Sequence, residues 1–228
     1  MAQPKPALRT TSTPAEALLL MACCFGWFIF SSLSIMSQSG SGEAGAQRMS
    51  AGFTDAMLIN LVVIELGQSL IALSILRVRG YDLASLYPQP TLGGSAQGVL
   101  LYVTACMIAF ALSGLFTGTL HEQPIALAMA QTHVTLPVVV LMAVVNGAFE
   151  EVFLLGFLMR GMRQHGLAIA LGLPLLVRAL THVYQGPYGV VSVLAFGLVT
   201  GLAYARTGRL YPVVLAHVLG DIVPFAFL

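Results

Sequence analysis

Seven apolar runs follow one another along the chain, at about residues 16–37, 53–77, 95–118, 134–160, 166–184, 188–205 and 210–227. At 1.5 Å of rise per residue, roughly 20 apolar residues in a helix cross the ~30 Å hydrocarbon layer of a bilayer. Inside that layer no water satisfies the backbone, so each segment must close its own hydrogen bonds as a helix. The fold class that follows is all-α, a polytopic transmembrane helix bundle of about seven spans, or eight if one element is broken or re-entrant. A membrane barrel would instead show short alternations of polar and apolar residues, which these runs do not. Charged residues make up 8% of the chain, far below the share in a water-soluble domain.

Polar residues Met1–Pro14 read as a disordered cytoplasmic tail, and 15–228 as a single transmembrane helical domain. The run from Glu16 to Met36 exceeds the roughly 7–15 apolar residues of a secretory signal, which makes it a retained helix. Loops such as SQSGSGEAGAQR and YDLASLYPQPTLGGS separate the runs. Lys5 and Arg9 precede the first run, Arg77 and Arg79 follow the second, Arg160 and Arg163 follow the fourth, and Arg206 and Arg209 separate the last two. With seven crossings these clusters share one side, and the intervening loops carry Arg48 or no cation. The positive-inside rule then gives a multi-pass protein of the cell membrane with a cytoplasmic N-terminus. A net charge of +1 and the lack of a basic stripe exclude nucleic acid as a partner; the lipid bilayer is the expected one. Cys23, Cys24 and Cys106 lie within apolar runs without CxxC spacing and imply no disulfide framework.

Ionisable groups in hydrocarbon cost at least about 2.5–3.5 kcal/mol each on insertion scales, so those that persist are candidates for function. Glu150 and Glu151 lie deep in the fourth run, about 100° apart on a helix and so expected to address two different partners, with Asn146 one turn before Glu150. In RALTHVYQGPYG, Arg178 precedes His182 by one turn; in HVLGD, His217 and Asp221 stand at i and i+4. Three separated helices therefore each carry a polar patch, and convergence on one internal site is the economical reading. His121, His133 and His165, in or near loops, read as structural, Asp55 as interfacial, and Glu65 either as paired with Gln68 or as part of the same cavity.

At these residues the chain resembles the CAAX-prenyl protease and bacteriocin-processing (CPBP, Abi) family of glutamic intramembrane proteases, in its bacterial branch, with the family-like core at 134–227. The family pattern of a Glu-Glu pair, a helix ending in histidine and a His-x-x-x-Asn on the last helix is met by Glu150-Glu151, His182 and His217. Three positions depart from it: Leu155 stands where the family has arginine, Arg178 where it has phenylalanine, and Asp221 where it has asparagine. Arg178 is expected to replace the missing arginine in space and to neutralise Glu151. The resemblance implies an endopeptidase acting on a membrane-associated peptide or protein, with water as the nucleophile and no metal or other cofactor. Glu150 would serve as general base together with His182, and His217 would stabilise the oxyanion. Glu151, Arg178, Asp221 and Asn146 would support them, Asp221 by orienting His217.

Depth along the membrane poses a constraint. A straight helix from Gly166 carries His182 about 24 Å along its axis, while Glu150 reads as nearer the cytoplasmic end of its own helix. A break at Pro174, with the QGP turn re-entering at mid-depth, is the expected remedy. Other classes compete with the protease reading. Glu, His and Asp are acceptable zinc ligands, but HExxH is absent. Ser113-Gly114 and the pair Asp82 and Asp221 offer poor serine or aspartyl alternatives, and a scaffold or a proton- or cation-coupled transporter would also retain buried carboxylates.

Overall fold

A computed structural model describes residues 8–39, 52–114 and 124–226, and these contain helices and turns but no extended strand. Lys5, Arg48 and His121 lie outside the described residues. The helices are α1 (Pro14–Ser39), α2 (Asp55–Val78), α3 (Leu92–Ser113), a short α4 (Pro124–Ala130), α5 (Leu136–Glu151), α6 (Leu167–His182), α7 (Gly186–Thr207) and α8 (Leu210–Ala226). Beyond Glu151, α5 runs on through a π-helical stretch, Val152–Met159, into a last turn at Arg160–Met162. Seven of these eight helices, all but α4, match the seven apolar runs, and lipid-facing side chains such as Leu18, Phe30, Leu70 and Phe110 are exposed on the outside.

Close glycine contacts fix the helix directions. A Cβ on Gly197 would meet Arg178 and Leu175, and one on Gly201 would meet Leu171, so α6 and α7 form an antiparallel hairpin. Gly147 abuts His217 and Val218 while Gly156 abuts Leu210, which sets α5 antiparallel to α8; Gly94 and Gly98 meet Tyr211 and Leu215, so α3 runs parallel to α8. Small residues where helices touch are what packing in lipid favours, because close backbone approach replaces the missing hydrophobic drive. Helix α8 packs on α3 and α5, α2 on α5, α6 on α1 and α7, and α7 on α3.

One end of the bundle gathers the cations. Residues 8–13, expected within a disordered tail, are docked there: the Arg9 amide donates to Gly80 O, the Asp82 amide to Arg9 O, and the Tyr81 hydroxyl to Thr10 O. Thr13 and Glu16 form a reciprocal capping box at the start of α1. Glu16 also accepts from Arg9 and from Arg79. Arg160 donates to Ser85 O, and Gln164 to Ser12 O. At the opposite end Asp55, interfacial as expected, accepts from the Thr135 amide and hydroxyl at 2.7 and 2.9 Å, tying the start of α2 to the start of α5.

The cationic half is a solid apolar plug built around the π-helical stretch, with Phe153, Leu154, Leu155, Phe157 and Met159 all essentially inaccessible against Phe25, Tyr81 and Leu210. The other half encloses a cavity of about 520 Å³.

Two expectations about depth are corrected. Pro174 lies inside α6 without ending it; the chain turns at Val183–Gln185 and resumes at Gly186, whose φ of 83° suits glycine. No break is required, because α5 continues well past the glutamates. Residues 150 and 178 are each 14 positions from Gln164 in the turn between α5 and α6, and they touch. Glu150 and Arg178, one turn before the end of α6, therefore stand level, about 20 Å from the cationic end at 1.5 Å per residue.

Candidate active site

Arg178 of α6 is the hub. Its Nη1 donates to Glu150 Oε2 at 2.9 Å and its Nη2 to Glu151 Oε1, so the adjacent carboxylates of α5 share one guanidinium instead of addressing two separate partners. The fork of an arginine can span two acceptors in this way, where a lysine offers a point charge. Arg178 is 1% exposed and Glu151 0%, which makes the pairing obligatory, since an uncompensated charge at this depth has no solvent to turn to. The guanidinium lies over the Phe196 ring, 5.5 Å from its centroid. Space for it exists because position 197 is glycine: a Cβ there would stand 2.9 Å from Arg178 Cδ.

His217 of α8 reaches the same carboxylate. Its Nδ1 lies 2.7 Å from Glu151 Oε1, and because Arg178 also donates to that oxygen, Nδ1 carries the proton. Its Nε2 lies 3.4 Å from Asn146 Nδ2 and 3.7 Å from Asp221 Oδ1, the latter too long for a hydrogen bond. The group that orients His217 is thus Glu151 and not Asp221, as expected from the i, i+4 spacing. Asp221 instead accepts from Asn146 Nδ2 at 2.9 Å. Gly147 allows this approach, with Val218 N only 3.2 Å from where a Cβ would be.

His182 closes α6. Its Nδ1 is 2.9 Å from Arg178 O and 2.9 Å from the Thr181 hydroxyl. A carbonyl can only accept, so Nδ1–H donates to it, and in the neutral imidazole Nε2 is left with a free lone pair. The ring stacks on Tyr184, whose amide donates to Ser32 Oγ of α1 at 3.2 Å.

Glu150, Asn146, Arg178, His182, His217 and Asp221 all line the cavity, while Glu151 sits behind it and anchors Arg178 and His217. Glu65 of α2 lines the cavity as well and is 1% exposed; among the described residues its Oε2 and the Oε1 of Gln68 have no partner, and no hydrogen bond joins the two side chains. Thr181, Phe196, Gly147 and Gly197 escaped the sequence reading. The glycines carried the available signal, small residues at helical spacing from the polar positions. Arg178 occupies the place between Glu150 and Glu151 that a shared metal ion would take, and among the described residues no three His, Cys, Asp or Glu side chains are grouped for metal binding.

Residues 132–223, which contain all seven expected site residues, match the family model of the Rce1-like type II CAAX prenyl endopeptidases. The motif resemblance holds over that stretch, and it supports a multi-pass CAAX-protease-like membrane endopeptidase. No curated protein and no solved structure matches the chain.

Proposed function

We propose, from the premise of an Rce1-like segment at 132–223, that the chain is an intramembrane endopeptidase in which Glu150 activates a water molecule. The observation that carries this reading is that Glu150, His182 and His217, from three helices, border one cavity with their other contacts already committed. Glu150 is fixed through Oε2 by Arg178. A water held between its carboxylate and the lone pair of His182 Nε2 gives one proton to Glu150 as its oxygen attacks the scissile carbonyl. Charge then develops on the carbonyl oxygen in a site shielded from bulk water, where a preoriented donor is worth most. His217 supplies that donor when protonated at Nε2, which then turns from the Asn146 amide to the oxyanion while Nδ1–H rests on Glu151. Glu150 returns the proton to the departing amine, so water's hydroxyl ends on the new carboxyl group and its protons balance.

Its substrate is a membrane-associated peptide or protein, because the cavity opens within a bundle whose outer surface is apolar. Grouping of the cations at one end supports a cytoplasmic N-terminus. Protein reconstituted in liposomes with a bilayer-tethered fluorogenic peptide library tests the reading. Glu150→Gln should lower cleavage by about 10²–10⁴-fold with an unchanged melting profile. Undiminished cleavage by that variant would refute the mechanism, and proton or cation flux without cleavage by the wild type would favour a transporter.

A further inference from the structure

Glu65 is not used by the chemistry above, yet it is a buried carboxylate on the cavity wall with an oxygen, Oε2, that has no partner among the described residues. Among the described residues three carboxylates line the cavity, Glu65, Glu150 and Asp221, and a fourth, Glu151, stands behind it. The cations facing them are already engaged, Arg178 by Glu150 and Glu151, and His217 by Glu151. Asp221 has the neutral amide of Asn146. The Nδ1 of His182 is turned to a backbone carbonyl. Among the described residues nothing positive is left for Glu65, whose Oε2 is an acceptor without a donor. A buried acceptor left in this state costs about 1–3 kcal/mol, and the group that would satisfy a carboxylate on the cavity wall is a cationic donor.

We infer that Glu65 is the counter-ion for a basic side chain, lysine or arginine, on the peptide bound in the cavity, and so sets a preference for a cationic residue near the scissile bond. The inference rests on the peptide-cleaving reading for the identity of the ligand, but the charge complementarity concerns binding and is separable from cleavage. A cavity of about 520 Å³ is of the size that holds a few residues of extended chain. The cation enters with the substrate and leaves with it, while Glu150 and the histidines keep their own partners throughout.

Matched peptides carrying lysine or its uncharged isostere norleucine, each with a photocrosslinker and a non-cleavable bond, measure binding to the full-length protein in nanodiscs. Cleavable versions give kcat/KM. Wild type should bind the lysine peptide about tenfold more tightly than the norleucine peptide, the scale of one charge-assisted hydrogen bond. Glu65→Gln should erase that difference in binding, and Glu65→Lys should transfer the preference to a glutamate peptide. Equal binding of the lysine and norleucine peptides by wild type overturns the inference whatever the cleavage result, and needs no variant to fold. A Glu65-dependent lysine preference without cleavage of any peptide would leave the inference standing and remove the protease reading.

Discussion

Removing the positive charge of Arg178 should be the most damaging single change in the membrane domain. Arg178→Met keeps an unbranched apolar stem but deletes both hydrogen bonds to the glutamates and the contact over Phe196. The two carboxylates then fare differently. Glu150 has a side chain 10% exposed to the cavity and can be rehydrated there. Glu151 is 0% exposed and keeps only His217. Breaking a buried pair from one side costs about 3–5 kcal/mol, and because one of the two orphaned groups can recover water, the total should stay within that range and not double. Unfolding in bicelles, followed by steric trapping or by denaturant titration, would measure it. Adding Glu151→Gln to Arg178→Met removes the stranded charge and should restore at least about half of the loss, a coupling of the kind a double-mutant cycle isolates. A single variant within about 0.5 kcal/mol of wild type, or a double variant no more stable than the single, would show that the Arg178 hub is not what holds α5 to α6.

Gly197→Ala places a Cβ 2.9 Å from both Arg178 Cδ and Leu175 Cδ2; it should cost about 1–3 kcal/mol by overpacking and lower kcat more than it raises KM, read from peptide cleavage at saturating substrate. Asp221→Asn restores the family's residue and preserves the contact with Asn146, whose amide can turn to accept, so cleavage should be retained or increased; a loss of about tenfold or more would show that the carboxylate itself is needed. Pro174→Ala sits inside a helix that runs through it, so activity should be unchanged and thermal stability equal or higher; a collapse of activity would mean that a bend at Pro174 sets the position of His182.

Much of this arrangement was legible in the sequence, for reasons that can be traced to residues. Apolar run length marked the seven long helices because hydrocarbon leaves a chain no choice but helix, and the polar patches at Glu150-Glu151, Arg178/His182 and His217/Asp221 stood out because hydrocarbon penalises each of them. What escaped was set by contacts between distant segments. The docking of residues 8–13 depends on the turn at Gly80–Asp82, although the Thr13–Glu16 capping box that starts α1 was there to be read. Spacing of i, i+4 suggested Asp221 as the orienter of His217; Glu151, on another helix, takes that role with a bond of 2.7 Å.

The misjudged depth has one cause, and it bears on the two departures from the family pattern at Leu155 and Arg178. In an antiparallel helical hairpin, residues equidistant from the turn come level, so the turn near Gln164 sets position 178 beside positions 150 and 151. An arginine one turn beyond Glu151 on α5, at position 155, would approach the acidic pair from its own helix. An arginine at 178 approaches at the same height from the facing helix, with its fork across both carboxylates. On this geometry the charge that the family pattern places on one arm of the hairpin would be supplied from the other, and position 155 is filled by Leu155, 1% exposed within the apolar plug. Exchanging the two, Arg178→Leu with Leu155→Arg, should therefore be less destabilising than Arg178→Leu alone. If the double exchange is no better than the single, the two departures are unrelated and Arg178 is not a substitute for the family's arginine.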